Sequence, residues 1–303
     1  MEQSEDARLR VSGGTKLLCE NAIAQLREDP RLHELVRSLR ESDARRVELT
    51  SPSPQSERQG AADAEMARQR LACQKSIATT IEDLGFDPAC ASLDPTSFKQ
   101  AVYAFGGPFS KAPLRRLARE TARIYALVTE GGLPVPQCVE DFHPMWEAAM
   151  EGEPRLNERF PSSVFRTRPS RILDSLFDGN VVQVNTDPNN VEEELEQLLA
   201  FLADEQLPDE VRAVAAFPAF EFTHPFEDGN GHVGRMLVLS TLQSRYSLQT
   251  MVGFSETLVF GKRKFTHLFG MLRRGEYSLA DFCQAALRQL HDAQTSPLSE
   301  RGR

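Results

Sequence analysis

Disulfide spacing, membrane-length apolar runs and an excess of positive charge are all missing from this chain. Five of its 303 residues are cysteine, Cys19, Cys73, Cys90, Cys138 and Cys283. The number is odd and no two are closely spaced, which excludes a disulfide framework and the ligand spacing of a zinc site, so reduced thiols are expected. No apolar run approaches the ~18 residues that a membrane span requires. The opening residues, Met1-Glu2-Gln3-Ser4-Glu5-Asp6, lack the basic and apolar regions of a secretory signal, and a cytoplasmic protein is expected. Lys and Arg total 35 against 44 Asp and Glu, a net charge of −9. That balance gives no global electrostatic reason to bind nucleic acid, so neither nucleic acid nor membrane is an expected partner. What is present is an ordinary globular composition, 40% hydrophobic and 26% charged, at about two domain-lengths.

Residues 1–60 are polar. A helical patch through Leu17, Leu18, Ile23, Leu26, Leu35, Val36 and Leu39 breaks at Asp29-Pro30, and two prolines among serines make 49–60 a linker. Helical patterning resumes from Ala61 through Leu84 and again at 94–104, 113–130 and 138–150. Later, Val191, Leu195, Leu198, Leu199 and Leu202 line one face of a helix that Asp187-Pro188-Asn189-Asn190 starts. Another opens at Leu207-Pro208-Asp209-Glu210, and a third runs through Leu279, Phe282, Cys283, Ala286, Leu287 and Leu290. The convincing β signal lies between 163 and 187, where Val164–Thr167 and Val181–Val184 flank the turn trio Asp178-Gly179-Asn180. The expectation is an all-α fold with one small β-hairpin flap.

One stretch stands apart, Phe220-Glu221-Phe222-Thr223-His224-Pro225-Phe226-Glu227-Asp228-Gly229-Asn230-Gly231-His232-Val233-Gly234-Arg235. A Gly-Asn-Gly turn feeding a helix presents several backbone N–H groups in one direction, where the helix dipole adds positive charge, and this suits a phosphate. Asp228 is a hard oxygen ligand for a divalent cation. Arg235, one turn into the helix, can fork onto a second phosphate. His224, followed by proline, can serve as a general base near neutral pH. Base, metal ligand, anion nest and phosphate clamp within twelve residues point to nucleotidyl or phosphoryl transfer.

The same stretch resembles the signature of the Fic family (filamentation induced by cyclic AMP), H-P-F-x-[D/E]-G-N-G-R-x-x-R. It matches at His224, Pro225, Phe226, Asp228, Gly229, Asn230, Gly231 and Arg235. Phe165-Arg166 falls where members start the flap that aligns the target segment. The resemblance implies a helical bundle with catalytic domain at 136–292, an N-terminal helical region at 61–135 after the extension 1–60, and a tail at 293–303. It also implies AMP transfer from ATP to a Tyr, Thr or Ser hydroxyl of an unknown protein target. In that scheme His224 takes the hydroxyl proton and Asp228 binds Mg²⁺ bridging the α- and β-phosphates. The amides of Gly229, Asn230 and Gly231 hold phosphate oxygens, the Asn230 side chain adds a contact, and Arg235 neutralises the γ-phosphate.

His232 stands where the signature has its first arginine. Mostly neutral at pH 7, it lacks the fixed charge and planar fork of arginine, which implies a weaker grip on the triphosphate. Many family members are also held inactive by a helix [S/T]-x-x-x-E-[G/N], whose glutamate pairs with the last arginine of the signature. Ala78-Thr79-Thr80-Ile81-Glu82-Asp83 matches this at Glu82, the inhibitory candidate, although Ala78 and Asp83 depart from the pattern. Glu130 and Glu300 match it less well. Alternatives to AMP transfer are another phosphate-containing donor, removal of AMP from a modified protein, or a catalytically weak nucleotide-binding regulator or scaffold. A homodimer is among the assemblies left open.

Overall fold

The structure, a computed structural model, describes residues 14–50, 94–104, 112–130, 132–152, 165–173 and 181–295. Helices dominate it, as the patterning predicts. They are α1 (Glu20–Glu28), α2 (Pro30–Thr50), α3 (Pro95–Ala104), α4 (Ala112–Glu130), α5 (Phe142–Met150), α6 (Val191–Leu202), α7 (Asp209–Thr223), α8 (Asn230–Leu242), α9 (Leu248–Phe260), α10 (Lys262–Arg273) and α11 (Leu279–Thr295). Local signals set several boundaries. Asp29-Pro30 separates α1 from α2, because a proline disfavours the helical conformation of the residue before it. The Asp187 side chain accepts the Asn189 N–H at 2.9 Å and opens the turn into α6. Pro208 caps α7, with Asp209 and Glu210 in its first turn.

The expected hairpin flap is not seen as such. The described residues hold a short antiparallel ladder, β1 (Arg171–Leu173) with β2 (Val181–Val184), in which Arg171 faces Val184 and Ile172 faces Gln183. The first arm therefore begins beyond Thr167, and the trio 178–180 lies outside the described residues. Residues 165–167 are irregular because Arg166 is drawn into the interior. The expected helix at 61–84, with Glu82, also lies outside them, as do Cys73, Cys90 and Glu300. Cys19 and Cys138 are exposed free thiols, and Cys283 is a buried one. No helix among the described residues is long and apolar enough to cross a membrane.

Backbone contacts divide the chain into two units. One comprises Met1–Val36, Pro134–Leu242 and Gly261–Arg288; the other comprises Arg37–Leu133, Gln243–Phe260 and Gln289–Arg303. In the first, α7 packs along α8 and against α6, while α5 lies on α8. Its core includes Leu195, Leu198, Val211, Phe220, Val233 and Leu237, all 1% exposed or less. In the second, α4 packs against α3 and α9, with Phe98 edge-on to Tyr125 at 5.9 Å between ring centroids. Glu130 accepts the Thr96 N–H at 3.0 Å and the Thr96 hydroxyl, so it ties down the start of α3.

Candidate functional site

The signature stretch lies entirely within the first unit and forms the connection from α7 to α8. Pro225 disfavours a right-handed helical conformation at the preceding residue, and α7 ends there. His224 turns left-handed, with φ 52° and ψ 58°, and is the one non-glycine residue at positive φ among those described. Its N–H still donates to Phe220 O at 2.9 Å, a left-handed helix cap. The ring's Nδ1 lies 3.4 Å from Glu221 O. With Nδ1–H donating there, Nε2 keeps its lone pair. Burial pushes the ring from 6.5 down to about 4, the charges of Arg166 and Arg273 act in the same direction, and the contact with Glu221 O opposes them. The imidazole is therefore neutral at pH 7.

Four residues on, the loop is held by packing. The Trp146 indole N–H donates to Asp228 O at 2.8 Å. Gly229 has φ +86°, and a Cβ there would stand 2.7 Å from Met150 Sδ and 2.9 Å from Trp146 Nε1, so the position requires glycine on both counts. Gly229 O accepts the N–H groups of His232 at 2.9 Å and Val233 at 3.0 Å, which opens α8. The Asn230 and Gly231 N–H groups occupy the first turn, where no intrahelical acceptor exists. The half-exposed Asp228 carboxylate makes no hydrogen bond or ion pair to any described residue. An unengaged hard oxygen beside a helix start fits a divalent cation such as Mg²⁺.

Asn230 corrects the expectation from sequence. Its side chain is buried and turned inward, with Oδ1 accepting the Phe226 N–H at 2.9 Å and Nδ2 donating to Phe226 O at 2.7 Å. Both ends of the amide are engaged, so it locks the loop and leaves only its backbone N–H to face a ligand. Phe165 and Arg166 also differ from expectation. Phe165 packs with tilted rings between His143 (4.5 Å) and Phe226 (5.4 Å), and Arg166 is 2% exposed against the His224 turn. Both anchor the loop.

Arg235 is buried on α8. Its Nη1 comes within 3.2 Å of the point where a Gly231 Cβ would stand, and Glu221 Oε1 comes within 3.6 Å of the same point. Arg273, on α10, lies over the Phe222 ring at 4.2 Å. Burial lowers its pKa to about 10 against the opposing pull of Glu221. His232 is half-buried. Sequence reasoning missed Arg273, Glu194, Met150 and Trp146. Their sole sequence signal is residue type, because each meets the loop through tertiary packing.

Residues 142–242 match the model of the Fic/DOC family. Among solved structures, a Fic family protein from Desulfovibrio desulfuricans G20 is similar at 16% identity and TM-score 0.57, over 88% of this chain and 73% of that one. A Fic domain containing signaling protein from Bacteroides thetaiotaomicron VPI-5482 aligns at 12% identity and TM-score 0.49, over 88% of this chain and 95% of its own. No match is found among curated proteins. The first structural likeness shows a shared fold, and the match of residues 142–242 to the Fic/DOC family covers the helices and loop that hold His224.

Proposed function

We propose that this domain transfers AMP from ATP to a Tyr, Thr or Ser hydroxyl of a protein target. The observation that carries the reading is a neutral histidine on a fixed left-handed turn, four residues before a carboxylate and a helix start whose first N–H groups have no intrahelical acceptor. His224 Nε2 takes the hydroxyl proton as the oxygen forms its bond to the α-phosphorus. The bond from that phosphorus to the β-phosphate oxygen breaks, pyrophosphate leaves, and the histidine later releases its proton to solvent. The Asn230 and Gly231 amides hold phosphate oxygens, and Arg235 meets the terminal phosphate. Asp228 would hold Mg²⁺, which when bound supplies charge neutralisation to the phosphates. Positioning and electrostatic stabilisation carry most of the rate, and the proton transfer contributes about 10²–10⁴-fold.

The test is mass spectrometry of a cell lysate incubated with the protein and isotopically labelled ATP. Added AMP on target hydroxyls, lost in His224→Ala, is the expected outcome. Labelled groups other than AMP would redirect the reading to another phosphate donor. His232 favours a second reading, a nucleotide-binding regulator with little transfer, for which tight ATP binding without product is the mark. Self-inhibition by Glu82 is part of the proposal, since one guanidinium at Arg235 cannot serve both a carboxylate and a γ-phosphate. Glu82→Gly then raises auto-modification, and Glu130→Gly does not.

A further inference from the structure

Arg166 is a buried guanidinium whose hydrogen bonds all go to backbone carbonyls. Nε donates to His224 O at 2.6 Å, Nη1 to Arg168 O at 2.8 Å, and Nη2 to Thr223 O at 3.1 Å and to Thr186 O. Its own backbone N–H donates to Pro225 O at 2.8 Å. One residue thus holds the carbonyls of Thr223, His224 and Pro225 in succession, at a helix C-terminus where such oxygens lack intrahelical donors and positive charge is favoured. No described carboxylate hydrogen-bonds to it; Glu227, Asp187 and Glu194 act on it only through their fields.

A second charge completes the brace from the other side. Glu194 Oε2, on α6, accepts the Thr186 hydroxyl at 2.6 Å, the Thr223 hydroxyl at 2.9 Å and the Gly14 N–H at 2.8 Å. Each threonine is therefore gripped twice, at its carbonyl by Arg166 and at its hydroxyl by Glu194. Left-handed backbone is disfavoured at a non-glycine residue, and it persists where the surroundings over-determine it. Here they do.

We propose that Arg166 is a positioning residue for the histidine base, its guanidinium fixing the left-handed turn that aims the His224 ring. The proposal rests on the base reading above. Burial is the main reason the ring stays neutral, and the Arg166 cation adds to it together with Arg273 and against the Glu221 carbonyl contact, so its removal should leave a spectroscopic trace at the ring.

The test uses the full chain with Arg166→Met and Arg166→Lys, following the His224 imidazole by NMR against pH and its backbone amide by hydrogen exchange. In Arg166→Met the ring's midpoint is expected to rise above about 4 but to stay below 6.5, because burial, the largest cause of the shift, remains. The kcat for transfer should fall about 10²-fold, as for a misplacement near 1 Å, with KM for ATP little changed. Arg166→Lys keeps the charge but not the fork, so the midpoint stays low while the His224 amide exchanges faster than the other α7 amides. Wild-type exchange at the His224 amide together with an unchanged midpoint in folded Arg166→Met overturns the proposal. If that variant does not fold, Arg166→Lys decides alone, and wild-type exchange at His224 overturns it. Absence of transfer in the wild-type protein would instead sink the base reading, with midpoint and exchange still reporting on the brace.

Discussion

The two ends of the connection between α7 and α8 are held by opposite chemistry. At the base end, ionic groups fix the backbone: the Arg166 guanidinium on the Thr223 and His224 carbonyls and Glu194 on two hydroxyls. At the phosphate end, neutral groups do so: the Asn230 amide on Phe226, the Trp146 indole on Asp228 O, and Met150 against Gly229. A histidine that must be aimed tolerates neighbouring charge, which also keeps it neutral.

The sharpest break in this comparison comes from His224→Ala. Transfer should fall by about 10²–10⁴-fold while ATP affinity holds, because only the base end is touched; steady-state kinetics and calorimetric titration check both halves. At the other end, Gly229→Ala places a methyl against Met150 and Trp146 and should destabilise by roughly 1–3 kcal/mol from overpacking alone, read by denaturant unfolding. Asn230→Ala strips partners from two buried backbone groups of Phe226 and should cost about 1–3 kcal/mol, with ATP binding weakened and the His224 titration unmoved. A shifted titration there would show that the two ends are not independent.

The pH dependence sharpens the same contrast. His224 is held below its unfolded value of 6.5, down to about 4. On acidification the unfolded chain therefore takes up the proton first. Its contribution to stability should be complete above about 6.5 and decline as the pH falls toward 4, a slope that His224→Ala lessens. The smallest effect is expected from His232→Arg, which adds a fixed charge at a half-buried site. ATP should bind tighter by no more than about fivefold, as for a partly exposed ion pair, and unchanged affinity would mean that position 232 faces away from the nucleotide.

The sequence made some of this architecture plain and concealed the rest for a physical reason. The start of α6 at Asp187–Asn190, the proline opening of α7 and the loop from His224 to Arg235 are local features, written in adjacent residues. Arg166 reaches carbonyls 57 and 58 positions away, and a guanidinium gives no sign in sequence of whether it faces solvent or a helix end. The β1 boundary was hidden for the same cause. Position 230 shows a different limit: the sequence names an asparagine in the loop, but whether its amide faces ligand or backbone depends on which hydrogen-bonding groups the fold brings within reach.

Trp146 is the only tryptophan of the chain, and its indole N–H is bound to the carbonyl of Asp228. All tryptophan emission from this protein therefore originates beside the loop from His224 to Arg235, and any rearrangement that lengthens this one contact changes the polarity around a single fluorophore. The unmodified chain carries its own optical gauge of loop occupancy, readable on titration with nucleotide or cation without a label.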